Sequence, residues 1–418
     1  MKILNVVQVY YPSVGGTQIF FKNINEYCVK NFQDEVEVFT VDSWFGPNKN
    51  VYKKIEPAKE MINGVLINRF SFLRFQRKPL MFLKKLLSLF FKTDKFFLLP
   101  LTGPWSPQLI KAIKNSDADV IVGAAAGYMH MTYSLWRNKT KNPKPFVAQG
   151  ALHFFYNTNE PPIFGKSLKA MQSADCCILN TEFEKQKLIE LGVDKNKIVV
   201  TGSAVDVNKF LDRDSCVIRK KFSLNKSDIL VGYIGRIEKY KNVVVLLQAF
   251  ANAFQQNKNL RLLIAGLKSQ YAEELKASVS DADFAMQNQI FFLEDFSEEE
   301  KPFIYNALDI FALPSVNESF GMVFLEAWCC KKPVIGTNVG AIASVISDNV
   351  DGFLFEPFNE KDLSEKILLL ANDEIKRSQM GEAGFNKVQQ NYTWEIVTEK
   401  YRKACHVAIQ NFKLRNSA

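Results

Sequence analysis

Short, continuously apolar runs alternate along this chain with stretches of helical spacing. The first series is ILNVVQV (3–9), EVEVFTV (35–41), VLINRF (65–70), DVIVGAA (119–125), PFVAQG (145–150), CCILN (176–180) and KIVVTG (197–202). The second is ILVGYIG (229–235), RLLIAG (261–266), QIFFLE (289–294), DIFALPS (309–315), PVIGT (333–337) and GFLFEP (352–357). Most are apolar throughout rather than alternating, which predicts parallel strands covered on both faces. Two such series interleaved with helices predict an α/β chain of two Rossmann-like, doubly wound domains. The expected divisions are 1–205, a charged and weakly patterned crossover at 206–227, 228–391, and a last helix within 392–418 that begins after Thr393 as N-cap.

Composition agrees with two domains. A chain of 418 residues exceeds one ordinary core, and 47% apolar content with 35 Phe can fill two. No run of 18 purely apolar residues occurs, so no spanning helix is expected. MKILNVVQVYYPS reads as a first buried strand, because its apolar run is short and Tyr-Tyr-Pro is no small-residue cleavage site. The seven cysteines are odd in number and form no Cys-x-x-Cys, so they read as reduced core residues of a cytoplasmic protein. A net charge of +9 suits solubility, a membrane surface or an anionic nucleotide; no standard nucleic-acid motif is present.

The chemistry concentrates in PSVNESFGMVFLEAWCCKKPVIGT, where Glu318 and Glu326 stand eight positions apart. Glu318 falls in a strand-to-helix loop, and Glu326 is expected two turns inside the helix. On helical geometry the separation is about 12 Å of rise. A glycosidase acid/base pair flanks a single bond at roughly 5–10 Å, so these carboxylates suit the two ends of an extended ligand better. Between them, Ser319, Phe320, Gly321, Met322 and Val323 bring backbone N–H groups to a helix N-terminus, a natural phosphate site. Sugar, diphosphate and ribose have that layout.

This run resembles the Glu-x(7)-Glu signature of the retaining glycosyltransferases of family 4, glycosyl transferases group 1, which have the GT-B fold. YPSVGG (11–16), TEFEKQKLIELGVDKNKIVVTGSAVDVNKF (181–210), GRIEKYKN (235–242) and ALDIFALPS resemble further motifs of that family, in the same order. The resemblance implies two Rossmann-like domains facing a cleft, acceptor on the first and nucleotide sugar on the second. The C-terminal helix would return to the N-terminal domain. It also implies that Glu318 contacts the donor sugar in the transition state, and that Glu326 accepts from the ribose hydroxyls. Arg236 and Lys241 would neutralise the diphosphate without a metal or other cofactor, and Gly15 and Gly16 would let backbone approach the donor. Departures from the family stand at Ala341 after Gly340, at Ser344, at Leu267 and Lys268, and at Gln149.

Each residue has a plainer alternative. Glu318 suits a helix N-terminus, Glu326 a solvated helix face, Arg236 and Lys241 an ordinary loop, and Gly15 and Gly16 a turn. His130 and His153 follow strands of the first series, where either can orient or deprotonate an acceptor; the alternative is a loop or core histidine. His406 reads as structural. Asp117-Ala118-Asp119 and Asp281-Ala282-Asp283 resemble metal-binding triplets but sit before strands, so no metal site is expected. Segment 69–97 carries eight Lys/Arg against one Asp, with eight Phe, and reads either as an interfacial membrane-docking helix or as a packed insertion.

The expected function is therefore a retaining hexosyltransferase. It would use a UDP- or GDP-linked sugar and a glycan or lipid-linked acceptor, in cell-envelope or exopolysaccharide synthesis. The protein would be cytoplasmic, with peripheral attachment to the inner leaflet of the cell membrane as the alternative to a free one. The alternatives are a non-catalytic sugar-binding paralogue or partner subunit, and a GT-B epimerase.

Overall fold

The computed structural model describes residues 1–13, 15–44, 53–72, 106–124, 143–152, 154, 165–280 and 284–417. The first sheet is built from β1 (Lys2–Val6), β2 (Glu35–Val41), β5 (Lys59–Ile62), β6 (Val65–Phe70), β7 (Val120–Ala124), β8 (Phe146–Gln149), β9 (Cys176–Leu179) and β10 (Ile198–Val200). Its order is β10-β9-β8-β7-β1-β2-β6-β5, and every pairing is parallel except the edge pair β5–β6. A two-residue ribbon, β3 (Ser43–Trp44) with β4 (Lys53–Lys54), stands apart. The second sheet holds β11 (Ile229–Ile234), β12 (Leu260–Gly266), β13 (Ile290–Glu294), β14 (Ile310–Leu313), β15 (Val334–Thr337) and β16 (Gly352–Phe355). Its order is β13-β12-β11-β14-β15-β16, all parallel.

Strand order reverses between β11 and β14. In open α/β sheets such a switch point opens a crevice at the carboxyl ends of the strands, where ligands bind. Both motif loops, after Ile234 and after Leu313, emerge there.

The first sheet is covered on both faces, as its continuous apolar runs require. Consecutive cysteines show the alternation: Cys176 joins the core on one face and Cys177 the core on the other. The Cys176 face is closed by the last helix, Trp394–Ser417, through Val397, Tyr401, Ala404, Cys405 and Ala408. Thr393 caps that helix, with Ile396 N donating to its Oγ1 at 3.4 Å. A buried polar chain fixes the docking: Tyr401 OH donates to Asn5 Oδ1 at 2.7 Å, and Asn5 Nδ2 to Asn25 Oδ1 at 2.8 Å. At the helix surface Arg402 Nε reaches Asp34 at 2.7 Å.

Six cysteines are buried and Cys216 is exposed, all as free thiols. Arg69, the first cation of the basic aromatic segment, is buried. It pairs with Glu60 and donates to the Pro57 and Tyr11 carbonyls, so it faces no membrane. Residues 73–97 of that segment lie outside the described residues. Among the described residues no helix is long and apolar enough to cross a membrane.

Candidate donor-binding site

Two loops of the second sheet form the site. After β11, Gly235 and Arg236 lead into a short turn, Lys239–Lys241, and the helix Val243–Gln256. Tyr233 OH donates to the Arg236 carbonyl at 2.6 Å, which fixes the turn. The neighbouring β12 ends on Gly266, where a Cβ would lie 2.2 Å from the Gly235 carbonyl oxygen, so only glycine lets the two loops approach. Arg236 itself is exposed, its guanidinium 5.7 Å from the Tyr240 ring centroid. Lys241 is buried. Asn242, at the start of that helix, makes no side-chain cap. It takes the left-handed conformation, φ 54°, and its Nδ2 donates across to the Pro314 carbonyl at 3.4 Å.

After β14 the chain runs from Pro314 to Gly321. Ser315 is fully buried, and its carbonyl accepts from Thr337 Oγ1 of β15. Glu318 then comes to Lys241, with Nζ donating to Oε1 at 2.5 Å. Ser319 is half-buried, and Phe320 turns away from the site to set its ring edge-on to Tyr392, with centroids 5.4 Å apart. Gly321 holds φ 90°, and a Cβ there would lie 2.7 Å from the Phe324 ring. This glycine ends the loop, so the helix begins at Met322 and runs to Cys329. Its first N–H groups lack intrahelical partners and open toward the site.

The helix start corrects one expectation. Glu318 precedes the helix, and Glu326 lies one turn inside it rather than two, so the 12 Å helical estimate does not apply. Glu326 is nonetheless buried rather than on a solvated helix face. Lys301 Nζ donates to its Oε1 at 2.6 Å, and Tyr305 OH to its Oε2 at 2.7 Å. Burial pulls the Lys301 ammonium down, but Glu326 and Glu298 together more than offset this, so the Lys301 pKa is raised. Burial beside that carboxylate drives the Tyr305 phenol well up. Neither partner was marked by the sequence motifs. Their spacing of four residues on one helix was the available signal.

The first domain reaches the site through Gly16. A Cβ on Gly16 would meet Met322 Cε at 3.5 Å, placing the glycine loop against the first turn of the helix Met322–Cys329. Gly15 is extended, φ 171°, a conformation open to any residue. His130 and His153 lie outside the described residues, as does the triplet 281–283. The triplet at 117–119 is engaged at the amino ends of the strands: Asp117 pairs with Lys2 Nζ at 2.8 Å, and Asp119 accepts from the Lys2 backbone at 2.8 Å. Ser344, one of the departures, accepts from Phe183 N at 3.4 Å across the two domains.

The family described as "Glycosyl transferases group 1" matches residues 214–387. The capsular polysaccharide biosynthesis glycosyltransferase CapM of Staphylococcus aureus is 32% identical over 239 residues, 55% of this chain and 61% of that protein. A D-inositol 3-phosphate glycosyltransferase of Stackebrandtia nassauensis is 28% identical over 249 residues, 58% of this chain. The chain spans 56% of that relative's length. Among solved structures, Anabaena HepE in complex with UDP superposes with a TM-score of 0.72 at 18% identity, covering 96% of this chain and 99% of that one. A glycosyltransferase from Rickettsia africae gives 0.71 at 20% identity, covering 99% and 98%. Residues 214–387 thus resemble glycosyl transferases group 1, and the chain as a whole has the GT-B fold.

Proposed function

We propose that this protein is a glycosyltransferase that moves a hexosyl unit from a UDP- or GDP-linked sugar to a glycan or lipid-linked acceptor, with retention of configuration and without a divalent metal. The observation that carries this is the convergence at one switch point of the Lys241–Glu318 pair, the N-terminus of helix Met322–Cys329 and the buried Glu326. The three elements match the transferred sugar, the diphosphate and the ribose in that order.

Each group has a task in this reading. Glu318 stabilises positive charge as it develops on the departing sugar. Arg236, Lys241 and the helix N-terminus neutralise the leaving diphosphate, a role for fixed cations and dipoles. Gly16 lets the first domain close on the donor with no side chain between. HepE, solved with UDP and with UDP-glucose, supports a nucleotide-sugar donor, and CapM supports a place in envelope polysaccharide synthesis. The acceptor would sit on the first domain, across the cleft.

The test is a screen of UDP- and GDP-linked hexoses for thermal stabilisation and for slow hydrolysis. At least one should raise the melting temperature and be turned over. No stabilisation and no turnover with any of them would remove the reading.

A further inference from the structure

Lys301 and Tyr305 stand one turn apart on the helix Lys301–Ala307, so their side chains share a face. Both point at Glu326, and they divide its carboxylate between them: Lys301 holds Oε1 at 2.6 Å and Tyr305 holds Oε2 at 2.7 Å. The Tyr305 hydroxyl is itself fixed. Its ring is fully buried, edge-on to Phe210 with centroids 5.8 Å apart and 5.7 Å from Phe311. The Lys301 and Glu326 side chains are only 16% and 11% exposed. A carboxylate offers about four acceptor sites, two on each oxygen. One on each is filled, so one on each remains, and the group cannot rotate without breaking both bonds.

We propose that Lys301 and Tyr305 are positioning residues that aim the two remaining acceptor sites of Glu326 at the two hydroxyls of a vicinal cis-diol, making the pocket select ribonucleotides over 2′-deoxyribonucleotides. This rests on the assignment of Glu326 to the ribose made above. A ribose supplies two donors for two acceptor sites. A 2′-deoxyribose leaves one acceptor of a buried charged group unfilled, the mismatch that polar sites reject most strongly.

Calorimetric titration of UDP, GDP and their 2′-deoxy counterparts tests this on the wild type and on Tyr305→Phe, Lys301→Met, Lys301→Arg and Glu326→Ala. Melting temperatures report the fold. The wild type should bind its preferred ribonucleotide at least about tenfold more tightly than the deoxy form. Tyr305→Phe and Lys301→Met should weaken the ribonucleotide about tenfold and the deoxy form by less than about threefold, collapsing the preference. Lys301→Arg should restore most of it. Parallel weakening of both forms, with the ratio kept, would mean a structural role only and overturns the proposal. So does a wild type that binds both forms equally, whatever the variants do. If Glu326→Ala leaves every affinity unchanged, the ribose assignment itself has failed. If Glu326→Ala abolishes the ribonucleotide preference while the Lys301 and Tyr305 variants keep it, only the positioning role has failed.

Discussion

Lys241 and Glu318, 77 residues apart in the chain, meet with Nζ 2.5 Å from Oε1 at the point where the second sheet reverses its strand order. An ammonium has three donors. Glu318 takes one, and two remain; in the proposed function these would go to diphosphate oxygens, so that one lysine would fix the carboxylate and hold the leaving group.

Glu318→Ala should lower turnover at least about a hundredfold, with nucleotide diphosphate affinity little changed, because the role proposed for it lies in the transition state. Glu326→Ala should instead weaken nucleotide binding. Steady-state kinetics with calorimetry on both variants separates the roles; equal and small effects of the two changes would contradict the division.

Arg236 and Lys241 are proposed to do the work of a divalent ion, so EDTA should leave activity largely intact. Arg236→Ala should cut activity strongly even with metal in excess. Complete loss in EDTA with rescue by manganese would point to a different donor site.

Gly321→Ala places a Cβ 2.7 Å from the Phe324 ring at φ 90°. A side chain held in that region costs about 1–3 kcal/mol. The variant should melt at lower temperature and bind UDP or GDP more weakly, since the helix that begins at Met322 must shift. Unchanged melting and affinity would show that the loop relaxes freely.

Tyr401→Phe removes the hydroxyl that meets Asn5 in the buried seam under the last helix. Leaving that acceptor unpaired should cost about 1–3 kcal/mol in denaturant unfolding. Because the site is remote, KM for the donor should hold.

Glu184 provides a pH test. It is buried, and burial lifts its carboxyl from 4.5 to about 8, although Leu152 N and Asn180 N donate to it. A carboxyl raised on folding carries an extra proton in the folded state. Its contribution to stability is full below pH 4.5 and declines as pH climbs toward 8. Glu184→Gln should therefore shrink the fall in melting temperature between pH 5 and pH 8. An identical fall in both proteins would place the carboxyl's titration elsewhere.

The parallel strands were legible because burial on both faces leaves a continuous apolar run, as in ILVGYIG and DIFALPS. The edge strand Lys59–Ile62 was not, because its residues are half-exposed or exposed and it pairs on one side only. Glu318 and Lys241 were legible as motif residues. The depth of Glu326 was misjudged because the left-handed Gly321, not the preceding loop, decides where the helix starts. Lys301 and Tyr305 escaped notice because their four-residue spacing marks only a shared helix face, and they reach Glu326 from 25 and 21 positions away through helix packing.

The helix Trp394–Ser417 fills the core beneath the first sheet. A segment that follows the second sheet in sequence therefore completes the first. During synthesis β7 to β10 leave the ribosome before the helix that covers one of their faces, while the second domain emerges and can fold ahead of them. The order of assembly thus runs against the order of translation, and the unfinished first sheet is where a chaperone would find its client surface. A fragment cut after the first ten strands would carry that bare face permanently, so the first domain in isolation needs the helix Trp394–Ser417 supplied alongside it.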